Sequence, residues 1–285
     1  MRIGLFVPCY IDQLYPDVAM ATLELLEASG AEVVFPPEQT CCGQPMANSG
    51  CWDDARRIVR RFVDIFEPAN GETFDYVVCP SGSCTSMVRH HFSELLVDET
   101  TADAALQSRL DALQRRTLDL AEFLTRVVPY ATIAETFAQR HGPIRFPHRI
   151  GLHQSCHGLR ELRLGPSSER MDRGVERDGG TLGQLLRQVD GVELVELSRT
   201  DECCGFGGTF AVNEEAVSVM MGRDRLADHD KAGSTVIVAG DMSCLMHLEG
   251  LIRRERQPVK VMHLAQVLTG RPLPEQTSLQ EFSHG

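Results

Sequence analysis

A Cys-Cys-Gly tripeptide occurs twice in this chain, at Cys41-Cys42-Gly43 and at Cys203-Cys204-Gly205, and no other feature narrows its folding options so far. Aligning the two copies brings further cysteines into register. Upstream, Cys9 follows the apolar run Ile3-Gly4-Leu5-Phe6-Val7-Pro8, and Cys156 follows Arg149-Ile150-Gly151-Leu152-His153. Downstream, Val77-Val78-Cys79-Pro80-Ser81-Gly82-Ser83-Cys84 matches Val236-Ile237-Val238-Ala239-Gly240-Asp241-Met242-Ser243-Cys244, with Ser-Cys aligned. Each half therefore carries a Cys, Cys-Cys, Cys set, and of the ten cysteines only Cys51 and Cys79 fall outside it. Such a pattern predicts a duplication.

The segments between the cysteines alternate in the same order in both halves. Ile3 to Val7 reads as a buried strand, Pro16 to Ser29 as a helix ended by Gly30, and Ala31 to Phe35 as the next strand, which Pro36 and Pro37 stop. A helix from about Asp53 to Phe66 and a strand from Tyr76 to Cys79 follow. In the second half a strand near Ile150, a helix from Leu182 to Val189, a strand from Val192 to Leu197, a helix from about Asn213 to Ala227 and a strand from Thr235 to Val238 take the same places. Both halves close on a similar stretch, Leu118 to Leu124 matching Met262 to Leu268, which reads as a helix. The fold class expected is α/β: two tandem repeats, each a small parallel-sheet unit with its cysteines at the carboxyl edge of the strands. The divisions are 1–142 for the first Cys-Cys-Gly repeat, 143–272 for the second and 273–285 for a polar tail expected to be disordered. Two insertions separate the repeats in detail: Asp98 to Arg116, a helix or hairpin, and the polar Gly165 to Gly180, a mobile loop.

A chain of 285 residues with 42% hydrophobic and 24% charged residues has room for a sizeable core. Its apolar runs fall far short of the roughly 20 residues of a membrane span, and Met1-Arg2 leads directly into a strand-like run without a signal-peptide profile. A cytoplasmic protein without direct membrane insertion is expected. The net charge of −12 disfavours nucleic acid as a partner, and the short runs Arg56-Arg57, Arg60-Arg61 and Arg253-Arg254 read as solvated helix faces. Ten cysteines in a reducing compartment point to metal or redox chemistry and not to structural disulfides.

Soft thiolates select iron-sulfur clusters, zinc or copper(I). The candidate ligands are Cys9, Cys41, Cys42 and Cys84 in the first half and Cys156, Cys203, Cys204 and Cys244 in the second, enough for up to two four-iron, four-sulfide clusters. Tetrahedral zinc is the alternative, although the paired Cys-x-x-Cys knuckles usual for zinc are absent. Adjacent cysteines on an extended chain point opposite ways, so each pair needs an irregular loop, which the following glycine permits. Cys79, five residues before Cys84 and without a cysteine counterpart, is an additional candidate beside the reading of a merely buried thiol. His153 and His157 flank Cys156 and read first as surrounding histidines, with ligation as the alternative. Phe206, Phe210, Met220 and Met221 read as core or shielding side chains. Gly205-Phe206-Gly207-Gly208 is weak evidence for a phosphate cradle. No catalytic carboxylate pair, nucleophile elbow or Ser/His/Asp arrangement stands out, so no catalytic residue is assigned.

With these residues in view, the chain resembles the Cys-Cys-Gly domain proteins, which include the B subunit of heterodisulfide reductase and the iron-sulfur subunit of glycolate oxidase, and it looks most like the lactate-utilisation iron-sulfur family. The resemblance rests on Val7-Pro8-Cys9, Cys41-Cys42-Gly43-Gln44-Pro45, Cys79-Pro80-Ser81-Gly82-Ser83-Cys84 and Cys203-Cys204-Gly205-Phe206-Gly207-Gly208-Thr209-Phe210. It implies a non-autonomous electron-transfer subunit acting with other subunits of a lactate-oxidising complex, among them a ferredoxin-like iron-sulfur protein. A cluster-based disulfide reductase subunit and a zinc-stabilised interaction module are the alternatives. The heterodisulfide-type motif ends each half in Cys-x-x-Cys, whereas here Ser81 and Asp241 replace the first cysteine of that pair, which argues against a five-cysteine cluster and direct disulfide reduction.

Overall fold

The computed structural model describes residues 1–98, 103–167 and 179–274. Two four-stranded sheets form, with the orders β2-β1-β3-β4 and β6-β5-β7-β8, so the second repeats the first strand for strand. The strands are β1 (Arg2–Leu5), β2 (Glu32–Val34), β3 (Tyr76–Cys79) and β4 (Thr117–Asp119), then β5 (Arg149–Leu152), β6 (Glu193–Leu194), β7 (Val236–Ala239) and β8 (Lys260–His263). All pairs are parallel, with Ile3 opposite Tyr76 and Ile150 opposite Val236 in the central pairs. The central strands β3 and β7 are buried almost throughout, as their unbroken apolar sequences require in a sheet covered on both faces. β1 and β5 share the sequence Arg-Ile-Gly-Leu. Beyond it, the Phe6 N–H donates to the Val78 carbonyl at 3.0 Å and the His153 N–H to the Val238 carbonyl at 2.8 Å, so these two residues occupy one backbone position.

Several segments differ from the sequence expectation. Leu118 to Leu124 and Met262 to Leu268 are not helical throughout. Each begins as the edge strand β4 or β8 and turns into a helix, Leu120–Arg126 or Leu264–Leu268, through a capping box in which Asp119 works with Glu122 and His263 with Gln266. A strand of three or four residues that runs straight into a capped helix offers no breaker to mark the change. The helix Tyr130–His141 went unpredicted, although Pro129 precedes it and Tyr130, Ile133 and Phe137 bury one face. The insertion after Asp98 contains a helix, Ala104–Arg116, capped by Asp103. Most of the second insertion and the tail lie outside the described residues.

The repeats are joined by exchanged packing. Helix Pro16–Ala28 of the first repeat packs on Leu264–Leu268 of the second, and helix Gly180–Leu186 of the second packs on Leu120–Arg126 of the first. One continuous apolar core runs through both, from Ile3 and Leu25 to Ile150, Val238 and Leu264, while a second core built on Phe6, Phe62, Phe66 and Phe92 belongs to the first repeat. At the centre, Ser81 and Asp241 form an isolated antiparallel bridge. They are equivalent positions, and a residue meets its own counterpart only on a local twofold axis.

Two candidate metal centres

Each of the eight cysteines of the two matching sets follows the carboxyl end of a strand. Cys9 lies after β1, the Cys41-Cys42 loop after β2, and Cys84 in the first turn of the helix Gly82–Ser86 that follows β3. Cys156, Cys203, Cys204 and Cys244 hold the same places after β5, β6 and β7. In the first centre Cys9 is exposed, Cys41 half-buried, and Cys42 and Cys84 are buried; in the second Cys156 and Cys203 are half-buried and Cys204 and Cys244 buried. The thiols touch in sequence. Cys9 hydrogen-bonds Cys41, Cys41 bonds Cys42, and Cys42 lies 3.5 Å from Cys84. Cys156, Cys203, Cys204 and Cys244 form the same chain.

Glycine makes this convergence possible. Gly43 and Gly205 adopt φ of 83° and 89°, the left-handed region that a side chain resists, and each turns its N–H onto the sulfur of the first cysteine of its pair, Cys41 or Cys203, at 3.4 Å. A methyl group on Gly205 would strike Met221 and the Ser218 carbonyl; one on Gly43 would meet Ile58, Val59 and the Ala55 carbonyl. Those contacts superpose the two following helices, Trp52–Phe66 and Glu215–Lys231, with Ala55 on Ser218, Ile58 on Met221 and Val59 on Gly222.

The thiols polarise one another. Hydrogen bonds from Cys42 and Cys9 draw Cys41 far below the usual thiol range, to about 3, and bonds from Cys156 and Cys204 draw Cys203 to about 2. The donors move the other way: Cys41 and burial push Cys9 up, Cys41 and Cys84 push Cys42 up, and Cys203 and Cys244 push Cys204 up. Each centre thus sets one thiol whose ionisation its neighbours favour beside thiols whose protons a metal would displace.

The residues that replace the missing cysteine of the longer motif are fully engaged elsewhere. Ser81 caps its helix by accepting from the Cys84 N–H at 3.4 Å, and its hydroxyl meets that of Tyr10 at 2.7 Å. Asp241 accepts from the N–H groups of Ser243 at 3.2 Å and of Ser83, across the repeat interface, at 2.7 Å, with the Tyr10 hydroxyl at 3.3 Å. Cys79 is wholly buried at the end of β3, with its thiol directed to the Ser81 carbonyl at 3.7 Å; burial raises its pKa. Cys51 is exposed ahead of its helix.

Around the first centre stand aromatic rings, Phe6 on Phe62 at 4.7 Å and Phe62 on Phe66 at 4.5 Å. The superposed helices put Arg225 where Phe62 stands and His229 where Phe66 stands, and β5 puts His153 where Phe6 stands. All six side chains are 0–1% exposed. Phe74 fills the space above Gly4, and His229 fills it above the equivalent Gly151. Sequence reasoning missed Arg225 and His229; sliding the helices into register would have found them. Met220, expected in the core or as shielding, is 64% exposed, whereas Phe206 packs against the core. His157 faces Gln44 across the repeats at 3.3 Å.

Comparison with known proteins follows the same outline. The cysteine-rich domain family, CCG, matches this chain twice, over residues 3–89 and 150–249. Lactate utilization protein A of an Exiguobacterium species is 38% identical over 94% of this chain and 96% of its own length. The proteins of that name from Halalkalibacterium halodurans and Bacillus licheniformis are 37% and 35% identical, over 94% and 95% of this chain and 96% and 100% of theirs. Among solved structures, a hypothetical protein from Helicobacter pylori shares the fold with a TM-score of 0.59 at 11% identity, over 94% of this chain; the chain spans about half, 48%, of that one. Two matches to the domain, two matching cysteine sets and full-length identity above one third place the chain in the CCG cysteine-rich domain family, among the lactate utilization protein A sequences.

Proposed function

We propose that this chain is the iron-sulfur subunit of a lactate-oxidising system, and that it moves electrons without oxidising lactate itself. The observation that carries the reading is the pair of converging four-thiol sets in a chain alike over 94% of its length to lactate utilization protein A. The donor set fits: four soft thiols gather at each site, and backbone N–H groups of Gly43, Gly205 and Phe206 face the sulfurs. Cys9, Cys41, Cys42 and Cys84 would hold one four-iron, four-sulfide cluster, and Cys156, Cys203, Cys204 and Cys244 another. Such a cluster supplies one-electron transfer.

The chain's own residues bind the group, exclude water from its inner face through Phe6, Phe62, His153 and Arg225, and leave Cys9 at the surface, where a redox partner can approach. A partner with further clusters, of ferredoxin type, suits this exposed edge. No flavin or nicotinamide signature accompanies the thiols, so substrate chemistry belongs to another subunit.

Zinc is the second reading. The 3.5 Å contact of Cys42 with Cys84 lies near the sulfur-sulfur edge of about 3.8 Å in a tetrahedron with 2.3 Å bonds. Anaerobic purification separates the two. Brown protein with iron, acid-labile sulfide and a reducible paramagnetic signal supports electron transfer, and colourless protein with stoichiometric zinc refutes it. Robust lactate turnover by the isolated chain with an artificial acceptor would refute the division of labour.

A further inference from the structure

His153 is the one buried side chain beside either centre whose polar atoms are all without a partner: both ring nitrogens are shielded from solvent and hydrogen-bonded to nothing among the described residues. Burying an imidazole in that state is costly, so the position makes sense only with something to bond. Its ring lies against the second centre, where a nitrogen of His153 and the sulfurs of Cys204 and Cys244 fall within 4.8 Å of one another. The equivalent place in the first centre holds Phe6, which needs no partner. Both residues hang from the same backbone hydrogen bond, to Val238 and Val78 respectively, so the difference lies in the side chain alone.

The exchange is not isolated. Behind His153 come Arg225 and His229 in place of Phe62 and Phe66, and each of them also keeps a buried nitrogen without a partner. Arg225 is held by Asp228 at 3.3 Å and by the Arg199 carbonyl. Three apolar rings have been replaced, position for position, by three nitrogen bases on the side of the second centre only.

We propose that His153 donates a ring N–H to the sulfurs of the second centre at Cys204 and Cys244, and thereby sets its reduction potential above that of the first centre. His153 is a positioning and tuning residue, with the four cysteines as ligands. An N–H aimed at thiolate or sulfide sulfur stabilises the reduced centre, which carries one more negative charge, more than the oxidised one. Reduction adds one electron from an external one-electron donor and breaks no bond. An electron entering at the exposed, phenylalanine-backed first centre then comes to rest at the second. This inference rests on the iron-sulfur reading of the two sites.

The test is a redox titration of the full chain, reconstituted anaerobically with iron and sulfide, with dithionite as electron donor and paramagnetic resonance as readout, alongside an iron assay. His153→Phe reproduces the first centre's wall; His153→Asn keeps a donor and covers the case in which the phenylalanine variant does not fold. Both are read in the Cys42→Ser background, which leaves the second centre alone. Expected for His153→Phe is unchanged iron with a reduced-to-oxidised ratio about tenfold lower at fixed poise, about 59 mV for one electron, partly restored in His153→Asn. An unchanged midpoint overturns the proposal, and so does loss of the second centre's iron, which would make His153 a ligand. Wild-type chain without reducible iron overturns the functional reading itself, so the two failures are distinguishable.

Discussion

The two halves of this molecule build their centres on the same backbone and surround them with opposite materials. In the first, Phe6, Phe62, Phe66 and Phe92 pack ring against ring, edge to face except for the tilted Phe62–Phe66 pair, with centroids 4.5 to 5.8 Å apart, and each such pair contributes about 0.5–1.5 kcal/mol beyond area burial. In the second, His153, Arg225 and His229 stand where Phe6, Phe62 and Phe66 stand in the first. Strand, glycine turn and capped helix are therefore the conserved machinery of thiol convergence within this chain, while the wall behind the thiols is free to vary. The backbone places the thiols of each set, and the side chains behind them differ between the two.

The largest effect that can break this comparison is loss of one centre. Cys42→Ser should abolish metal at the first centre and spare the second, Cys204→Ser should do the reverse, and metal analysis should read half the wild-type content in each. A variant that loses both would show that the centres depend on each other.

The walls should then fail differently. Phe62→Ala leaves a cavity and costs about 3–5 kcal/mol, while Arg225→Met costs about 3 kcal/mol by leaving Asp228, whose side chain is 2% exposed, without its cation. Adding Asp228→Asn should recover only part of the second loss, because Asp228 also accepts from the Ser198 and Arg199 N–H groups, where an amide NH2 cannot. Urea denaturation measures all three, and a double variant no more stable than Arg225→Met, with the Asp228→Asn single variant retaining full stability, would count against the charge pairing.

Acid should weaken metal loading at both centres. Cys9 and Cys42, and likewise Cys156 and Cys204, have pKa values raised by their neighbours and by burial, so they are protonated at neutral pH and metal must displace their protons. Affinity therefore rises with pH, by roughly tenfold per proton released and per pH unit. Chelator competition between pH 6 and 8 checks this, and a flat profile would count against it.

The smallest effect is expected at Cys79. A serine there keeps a donor for the Ser81 carbonyl, so Cys79→Ser should cost about 1 kcal/mol and leave metal content intact. Metal loss as large as that of Cys42→Ser would make Cys79 a ligand and the first centre a five-thiol site. That outcome would widen the contrast with the second repeat, where β7 ends in Ala239.

Much of this architecture could be read from the residues because unbroken apolar strands and repeated cysteines are loud signals. Tyr76–Cys79 and Val236–Ala239 are continuous buried runs, and the Cys-Cys-Gly pairs mark the loops that follow the second strands. The edge strands β4 and β8 were silent because Asp119 and His263 serve at once as the last strand residue and the helix cap, so one polar residue does the work of a turn. The character of the walls was silent for another reason. Phe6 and His153 follow identical tetrapeptides, yet a histidine beside a cysteine invites a surface or ligand reading, and only burial without a partner reveals what it lacks. The contacts of Asp241 with Tyr10 and Ser83 span more than half the chain and leave no local pattern.

The bridge between Ser81 and Asp241 also bears on why the two repeats are one chain. Were a single repeat to assemble as a homodimer, the interface would be isologous, and the residue on its axis would face an identical copy. Two serines there would leave the Ser83 N–H without its carboxylate, and two aspartates would set like charges together in a fully buried spot. Fusion removes that constraint. One side can be the acceptor and the other the donor, and the join between the halves can be stronger than any symmetric dimer of either could make it.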